Sequence, residues 1–252
     1  MTMTLSEAMT ALKSAGTEQT RRTYLRHGAA EPLFGVKYGD LRRIAKRIGK
    51  DHQLARALWA TDDTDARLLA CMVADPAWTT EAELDAWLTD IDSYFLVDTF
   101  VGELASRAPG IRSRAERWIA SDRDRIAQAG WDLMNHIALN DMTEPDDYFE
   151  GQLDLIAQRI EGYGNWTRRS ASNAITGIGL RSGRLESAAR ETAARMGTVE
   201  FDPGQTSCVM PDPIEYLEKT KAHRAAQEAR RAAASVKGGS RASSTVARPP
   251  GR

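Results

Sequence analysis

Three short stretches, Ala60-Thr61-Asp62, Ile91-Asp92-Ser93 and Ala120-Ser121-Asp122, recur at steps of about 30 residues, with one longer step to Gly164-Asn165-Trp166. Each leads into a segment whose apolar residues fall three and four apart, the spacing that puts one apolar stripe along a helix. A hairpin of two such helices cannot bury its apolar faces alone. Stacking several in a row creates a continuous core, so the period predicts a solenoid of helix pairs. Strand patterns do not compete: alternating β-branched runs are missing, and Ala, Leu, Arg, Glu and Asp dominate.

The spacing predicts helices at roughly 4–14, 18–28, 38–48, 52–60, 64–74, 80–90, 93–106, 111–120, 123–139, 146–161, 165–180 and 184–196. Thr80 before Glu83, and Ser182 before Leu185 and Glu186, supply side-chain acceptors for otherwise unpaired first-turn N–H groups. Gly49, Gly110 and the stretch Gly162–Gly164 mark breaks, and Pro76, Pro109 and Pro145 mark connections or first turns. The period is shorter than the ~40–47 residues of HEAT repeats, so the expected fold is an all-α, HEAT-like helical-repeat superhelix, with a compact helical bundle as the alternative. The superhelix spans 1–200, a breaker-rich loop and basic helix follow at 201–235 with the helix itself over 213–234, and a low-complexity tail at 236–252 is expected to be disordered.

The net charge of −1 hides an asymmetry. From Lys219 onward nine Lys/Arg face one acid, Glu228, which leaves residues 1–218 at −9. An acidic body can hold nucleic acid only by concentrating its cations on one face. No apolar run approaches the ~18–20 residues of a membrane span, and the opening MTMTLSEAMTALKSAG has neither the basic nor the apolar region of a secretory signal. Two cysteines, Cys71 and Cys208, fit a reduced, cytoplasmic setting. Four scattered histidines lack zinc-ligand spacing, so no metal and no cofactor are expected. Nucleophile elbows, Walker loops and dinucleotide fingerprints are missing as well.

Chemistry concentrates at the starts of successive helices, which a solenoid lines up along one edge. Tyr94 and Asp98 share a helix face four residues apart. Asp98 sits among Leu96, Val97, Thr99, Phe100 and Val101, and a carboxylate in apolar surroundings needs partners. It either ties one repeat to the next by hydrogen bonding or stabilises a sugar cation. Trp166, Arg168 and Arg169, with Asn173 beyond them, open a helix suited to phosphate and sugar contacts, unless Trp166 is core and the arginines are merely solvated. Lys37, Arg42, Arg43, Lys46 and Arg47 share one segment, and Arg123, Arg125 and Arg181 follow. They form a duplex-binding stripe only if they face one way.

Phe34-Gly35-Val36-Lys37-Tyr38-Gly39-Asp40-Leu41-Arg42-Arg43, then Leu58-Trp59, the Val97-Asp98 helix and Trp118 to Asp122, together resemble the DNA alkylation repair (AlkD-like) family across about residues 20–200. The resemblance implies a superhelix that clasps double-stranded DNA and, in its enzymes, hydrolyses the N-glycosidic bond of N3- or N7-alkylated purines without a base-flipping pocket. The family's catalytic aspartate corresponds to Asp98 and its preceding tryptophan to Tyr94. Its groove arginine falls near Gln128 and its second tryptophan near Asn173, with Trp166 two turns earlier. Three functions are therefore expected to compete: an alkylpurine glycosylase using Asp98 and Tyr94, a non-catalytic DNA-binding module, and a protein–protein scaffold. The DNA-binding set is Lys37, Arg42, Lys46, Arg123, Arg125, Gln128, Trp166, Arg168, Arg169 and Asn173. A monomer is expected, associated with the nucleoid if it holds DNA.

Overall fold

The computed structural model describes residues 3–206, 209–210 and 212–242. The chain is 72% helical. Among the described residues the helices are α1 (Leu5–Ala15), α2 (Glu18–Arg26), α3 (Tyr38–Ile48), α4 (His52–Trp59), α5 (Thr64–Val73), α6 (Glu81–Asp90), α7 (Tyr94–Phe100), α8 (Ile111–Ile119), α9 (Asp124–Asn140), α10 (Asp146–Arg159), α11 (Asn165–Gly179), α12 (Gly183–Met196) and α13 (Pro213–Ala242). Side-chain oxygens of Thr4, Thr17, Asp51, Asp63, Thr80 and Ser182 accept first-turn N–H groups, so these six starts are written in the local sequence.

The odd-numbered helices form a row in which α3, α5, α7, α9, α11 and α13 each pack against the next, while α4, α8 and α12 back onto α5, α9 and α11. This is the expected all-α solenoid of helix pairs. Helix α5 is covered on every side and buries all its residues except Arg67, which is why its sequence is apolar nearly all round. Trp59, Trp87 and Trp118 are buried between helices, as their periodic placement predicts. The Trp59 and Trp87 rings stack 4.3 Å apart, and the indole N–H groups of Trp59 and Trp118 donate to Asp90 and Asp85.

The segment 34–36 is held from the core side. The carboxylate of Asp65, wholly buried, accepts the backbone N–H groups of Phe34 (2.6 Å), Gly35 (2.8 Å) and Val36 (2.8 Å). Gly35 has φ +77°, and any Cβ there would run into the backbone of Arg21. The Phe34-Gly35-Val36 motif is thus a fitting between α3 and α5, and its role in the fold is anchoring.

Three elements differ from the pattern expected of the sequence. The helix expected over 93–106 breaks after Phe100 into a π-helical turn, Val101–Ala105, which carries Glu103. The end of α10 tightens into a 3-10 turn, Ile160–Gly162. Helix α13 runs to Ala242, past the expected end at 234. Cys208 and residues 243–252 of the expected tail lie outside the described residues. Among those that are described, no helix is long and apolar enough to cross a membrane, and no group of three His, Cys, Asp or Glu side chains is placed to hold a metal.

Candidate nucleic-acid interface

Asp98, on α7, points along the odd row toward α11. Its carboxylate pairs with the Arg169 guanidinium, Nη2 to Oδ2 at 3.1 Å and Nη1 to Oδ1 at 3.4 Å. Gln128, on the intervening α9 and fully buried, donates its side-chain amide to Asp98 Oδ1 (3.1 Å) and to the Tyr94 carbonyl (3.2 Å). Arg125, one turn earlier on the same helix, donates to Gln128 Oε1 (3.3 Å) and to the Asp92 carbonyl (3.3 Å). The carboxylate is therefore neutralised and held by neighbouring repeats, while its side chain remains 36% exposed.

An aromatic stack stands beside this pair. The Tyr94 ring lies on the Trp166 indole, 3.7 Å between centroids and 10° between planes, and Phe201 meets Trp166 edge-on. Arg169 sits over both stacked rings, at 5.4 and 5.6 Å, and Arg125 sits 5.5 Å from the Trp166 centroid. The Tyr94 hydroxyl shares a hydrogen bond with His27 Nδ1. Burial holds the His27 imidazole below its usual pKa, with Arg26 adding to the effect.

The neighbouring helix fixes where α11 presents these groups. Helix α11 has no side-chain cap of its own; instead Asp124, at the start of α9, accepts the N–H of Thr167 (3.0 Å) and of Trp166 (3.4 Å). A Cβ at Gly164 would overlap the Asp124 carboxylate, so the glycine makes room for this cap. On the other flank the Asn165 side chain exchanges two hydrogen bonds of 2.8 Å with the Asp202 backbone. The loop after α12 is thereby clamped beside Trp166.

Behind the pair lies Asp132, one turn after Gln128. Its Oδ2 is buried and has no hydrogen-bond partner among the described residues. Burial, and next the charge of Asp98, push its carboxyl up to about 7, against the pull of Ser170 and Arg169. Arg169 thus stands between two carboxyl groups.

The basic residues divide into two kinds. Lys37 and Lys46 are exposed, and no carboxylate among the described residues pairs with either. Arg42 reaches Glu103 (2.9 Å) on the π-helical turn, which also accepts from Arg107 (3.2 Å) and Tyr38 (3.3 Å). Together Arg42, Lys46, Lys50 and Arg107 surround a concavity of about 410 Å³ that contains one acid, Glu103. Arg123 is exposed and donates to Thr89 on α6. By contrast Arg168 donates to the carbonyls of Ile160 (3.2 Å) and Glu161 (2.6 Å), where it caps the 3-10 turn. Asn173, half-buried, lines a hollow of about 420 Å³ with Arg169 and with Tyr216, Thr220 and Arg224 of α13.

The structure gathers Tyr94, Asp98, Arg125, Gln128, Trp166 and Arg169 at one place, and sets Lys37, Arg42 and Lys46 on a separate helix of the row. His27, Phe201 and Asp132 joined this place without being expected. Asp132 carries a sequence signal, its position four residues after Gln128 on one helix face. His27 and Phe201 carry none, because they arrive from α2's end and from an irregular loop.

Sequence and structure comparisons point one way. The profile of the DNA alkylation repair enzyme family matches residues 8–163. The uncharacterized protein Lin0241 of Listeria innocua and the uncharacterized protein Lmo0209 of Listeria monocytogenes are each 27% identical over 224 residues, spanning 87% of this chain and 98% of theirs. A solved structure from a new family of proteins related to the HEAT-like repeat DNA glycosylases, with affinity for branched DNA structures, matches with a TM-score of 0.80 and 27% identity. That match covers 88% of this chain and 95% of the other.

Proposed function

The chain belongs to the DNA alkylation repair enzyme family, and from that footing we propose that it is a DNA-binding superhelix that holds duplex and branched DNA along its odd row and does not release bases. The observation that carries this reading is the Asp98–Arg169 pair. A carboxylate lowers the barrier to glycosidic cleavage by offering uncompensated negative charge to the sugar cation that develops in the transition state. At Asp98 that charge already faces a guanidinium 3.1 Å away and accepts a hydrogen bond from Gln128, so a sugar would first have to displace Arg169. The Trp166 indole covers one face of the Tyr94 ring, which removes that face from substrate contact.

Binding draws on other groups. Lys37 and Lys46 on α3 and Arg123 at the start of α9 are exposed cations on different helices of the row, and they contact phosphates at different points along the nucleic acid. Affinity for branched DNA in a neighbour of 27% identity supports a preference for junctions in this chain too. The protein acts as a monomer, in the cytoplasm and on the nucleoid.

The test is a pair of measurements on one preparation. Titration by gel shift with a plain duplex and a four-way junction of equal length is expected to show binding to both, tighter for the junction. Incubation with duplex containing 7-methylguanine is expected to release no base over hours. Release at a rate well above spontaneous depurination, lost in Asp98→Asn, would restore the glycosylase; failure to bind either DNA at low salt would favour a protein–protein scaffold.

A further inference from the structure

Between α2 and α7 lies a concavity of about 440 Å³ that the DNA-groove reading leaves unused. Pockets that hold small ligands range over ~300–1,000 Å³. The space exists because α2 buries none of its residues completely: its inner face, with Thr23 and Tyr24, stands against α7 without filling the gap. Rings dominate the lining. Tyr24 and Phe95 stack 5.1 Å apart, and Tyr38, Tyr94 and His27 supply three more ring surfaces. Asp98 stands at the edge as an acceptor, and none of the lining residues is Lys or Arg.

That chemistry narrows the occupant. The lack of a lining cation disfavours a phosphate or any other anion. Aromatic walls favour a flat ring, because every nucleobase has a π face to stack. Arg169 and Gln128 occupy three of the four acceptor positions of Asp98, and the fourth, on Oδ2, favours a ring that presents an N–H donor, which guanine offers at both N1 and N2 when its pairing edge is free. Cations for the flanking phosphates stand outside the pocket, on α3 and at the start of α9. Resting on the proposal that this row holds DNA, we infer that the concavity receives a single unpaired guanine from bound DNA, recognised by the rings of Tyr24, Phe95 and Tyr38 and by the one Asp98 Oδ2 lone pair that Arg169 leaves open. It would give the chain a reader for unpaired bases at distorted or branched sites, with no bond broken.

The full chain is titrated by fluorescence anisotropy against three duplexes identical except at the centre: fully paired, bulged with an abasic nucleotide, and bulged with guanine. The guanine bulge is expected to bind about tenfold more tightly than the abasic bulge, within the range of one base–aromatic stack. Thr23→Trp, from a partly exposed position on α2, fills the space and is expected to abolish that difference while leaving affinity for the paired duplex unchanged. Tyr38→Ala, at the rim, is expected to reduce the difference several-fold and decides the matter if Thr23→Trp does not fold. Equal wild-type affinity for guanine and abasic bulges overturns the pocket and leaves DNA binding standing. A folded Thr23→Trp protein that keeps the full preference also overturns it, and failure to bind any of the three DNAs overturns the pocket together with the DNA-binding reading.

Discussion

The Tyr94 ring and the Trp166 indole lie nearly parallel, 3.7 Å between centroids, although one opens α7 and the other opens α11. Arg169 over both rings, and Phe201 against the far edge of the indole, complete a sandwich of four side chains from three parts of the chain.

Trp166→Ala removes the centre of that sandwich. The indole is half-buried, so the loss stays below that of a core tryptophan: about 2 kcal/mol, from lost apolar burial and lost stacking. Urea denaturation of variant and wild type measures it. An unchanged midpoint would mean that the stack contributes nothing to the folded state.

Asp98→Asn separates the two roles open to that residue. Both members of its ion pair are partly exposed, at 27% and 36%, so breaking it is expected to cost about 1–2 kcal/mol, between the surface and buried limits. The same change frees Arg169 and is expected to raise affinity for paired duplex a few-fold. Thermal melting and anisotropy report the two effects, and a loss of duplex affinity contradicts the assignment of Asp98 as a tie.

Cations at the groove differ from cations that hold the fold. Lys37→Gln and Lys46→Gln are each expected to reduce the slope of log affinity against log salt by about 0.9. Arg168→Gln is expected to leave that slope unchanged and to lower the melting temperature, because it uncaps the carbonyls of Ile160 and Glu161. A salt series for the three variants distinguishes them.

Asp132→Asn is expected to change how stability depends on pH. The folded protein raises this carboxyl from 3.8 to about 7, so between about pH 4 and 7 the native state binds a proton that the unfolded chain has lost. The wild-type contribution of Asp132 therefore weakens as pH rises through that window and is at its least favourable above it. Asparagine does not titrate, so the variant should gain on the wild type between pH 5 and pH 8. Chemical denaturation at both pH values checks this; a constant difference contradicts the shift.

The fold was legible because its causes are local. Thr80 and Ser182 cap the helices they precede, and the stripe carrying Trp59, Trp87 and Trp118 repeats at the period of the packing itself. The π-helical turn was not legible, since the apolar run through Val97, Phe100, Val101 and Leu104 satisfies an α-helix equally well. At the site, Tyr94, Asp98 and Arg169 stood out by residue type and position. What they touch did not, because Gln128 and Trp166 come from other repeats, and the register between repeats is set by packing. Arg168 shows the same limit from the other side: two adjacent arginines look alike in sequence, yet one faces Asp98 and the other closes the turn that precedes its own helix.

A repeat protein is ordinarily a one-dimensional chain of units in which each feels only its immediate neighbours, so stability sums over adjacent interfaces and the ends fray independently. Asp98 and Arg169 do not obey that rule, because α9 lies between the helices that carry them. Their pairing adds a second-neighbour coupling, as the Arg42–Glu103 pair does across α5. There the pitch of the superhelix is restrained, because separating α9 from α7 or from α11 also strains the pair that spans it. A partner that bends the molecule at Gln128 must therefore break this pair as well as the packing of α9 against its two neighbours.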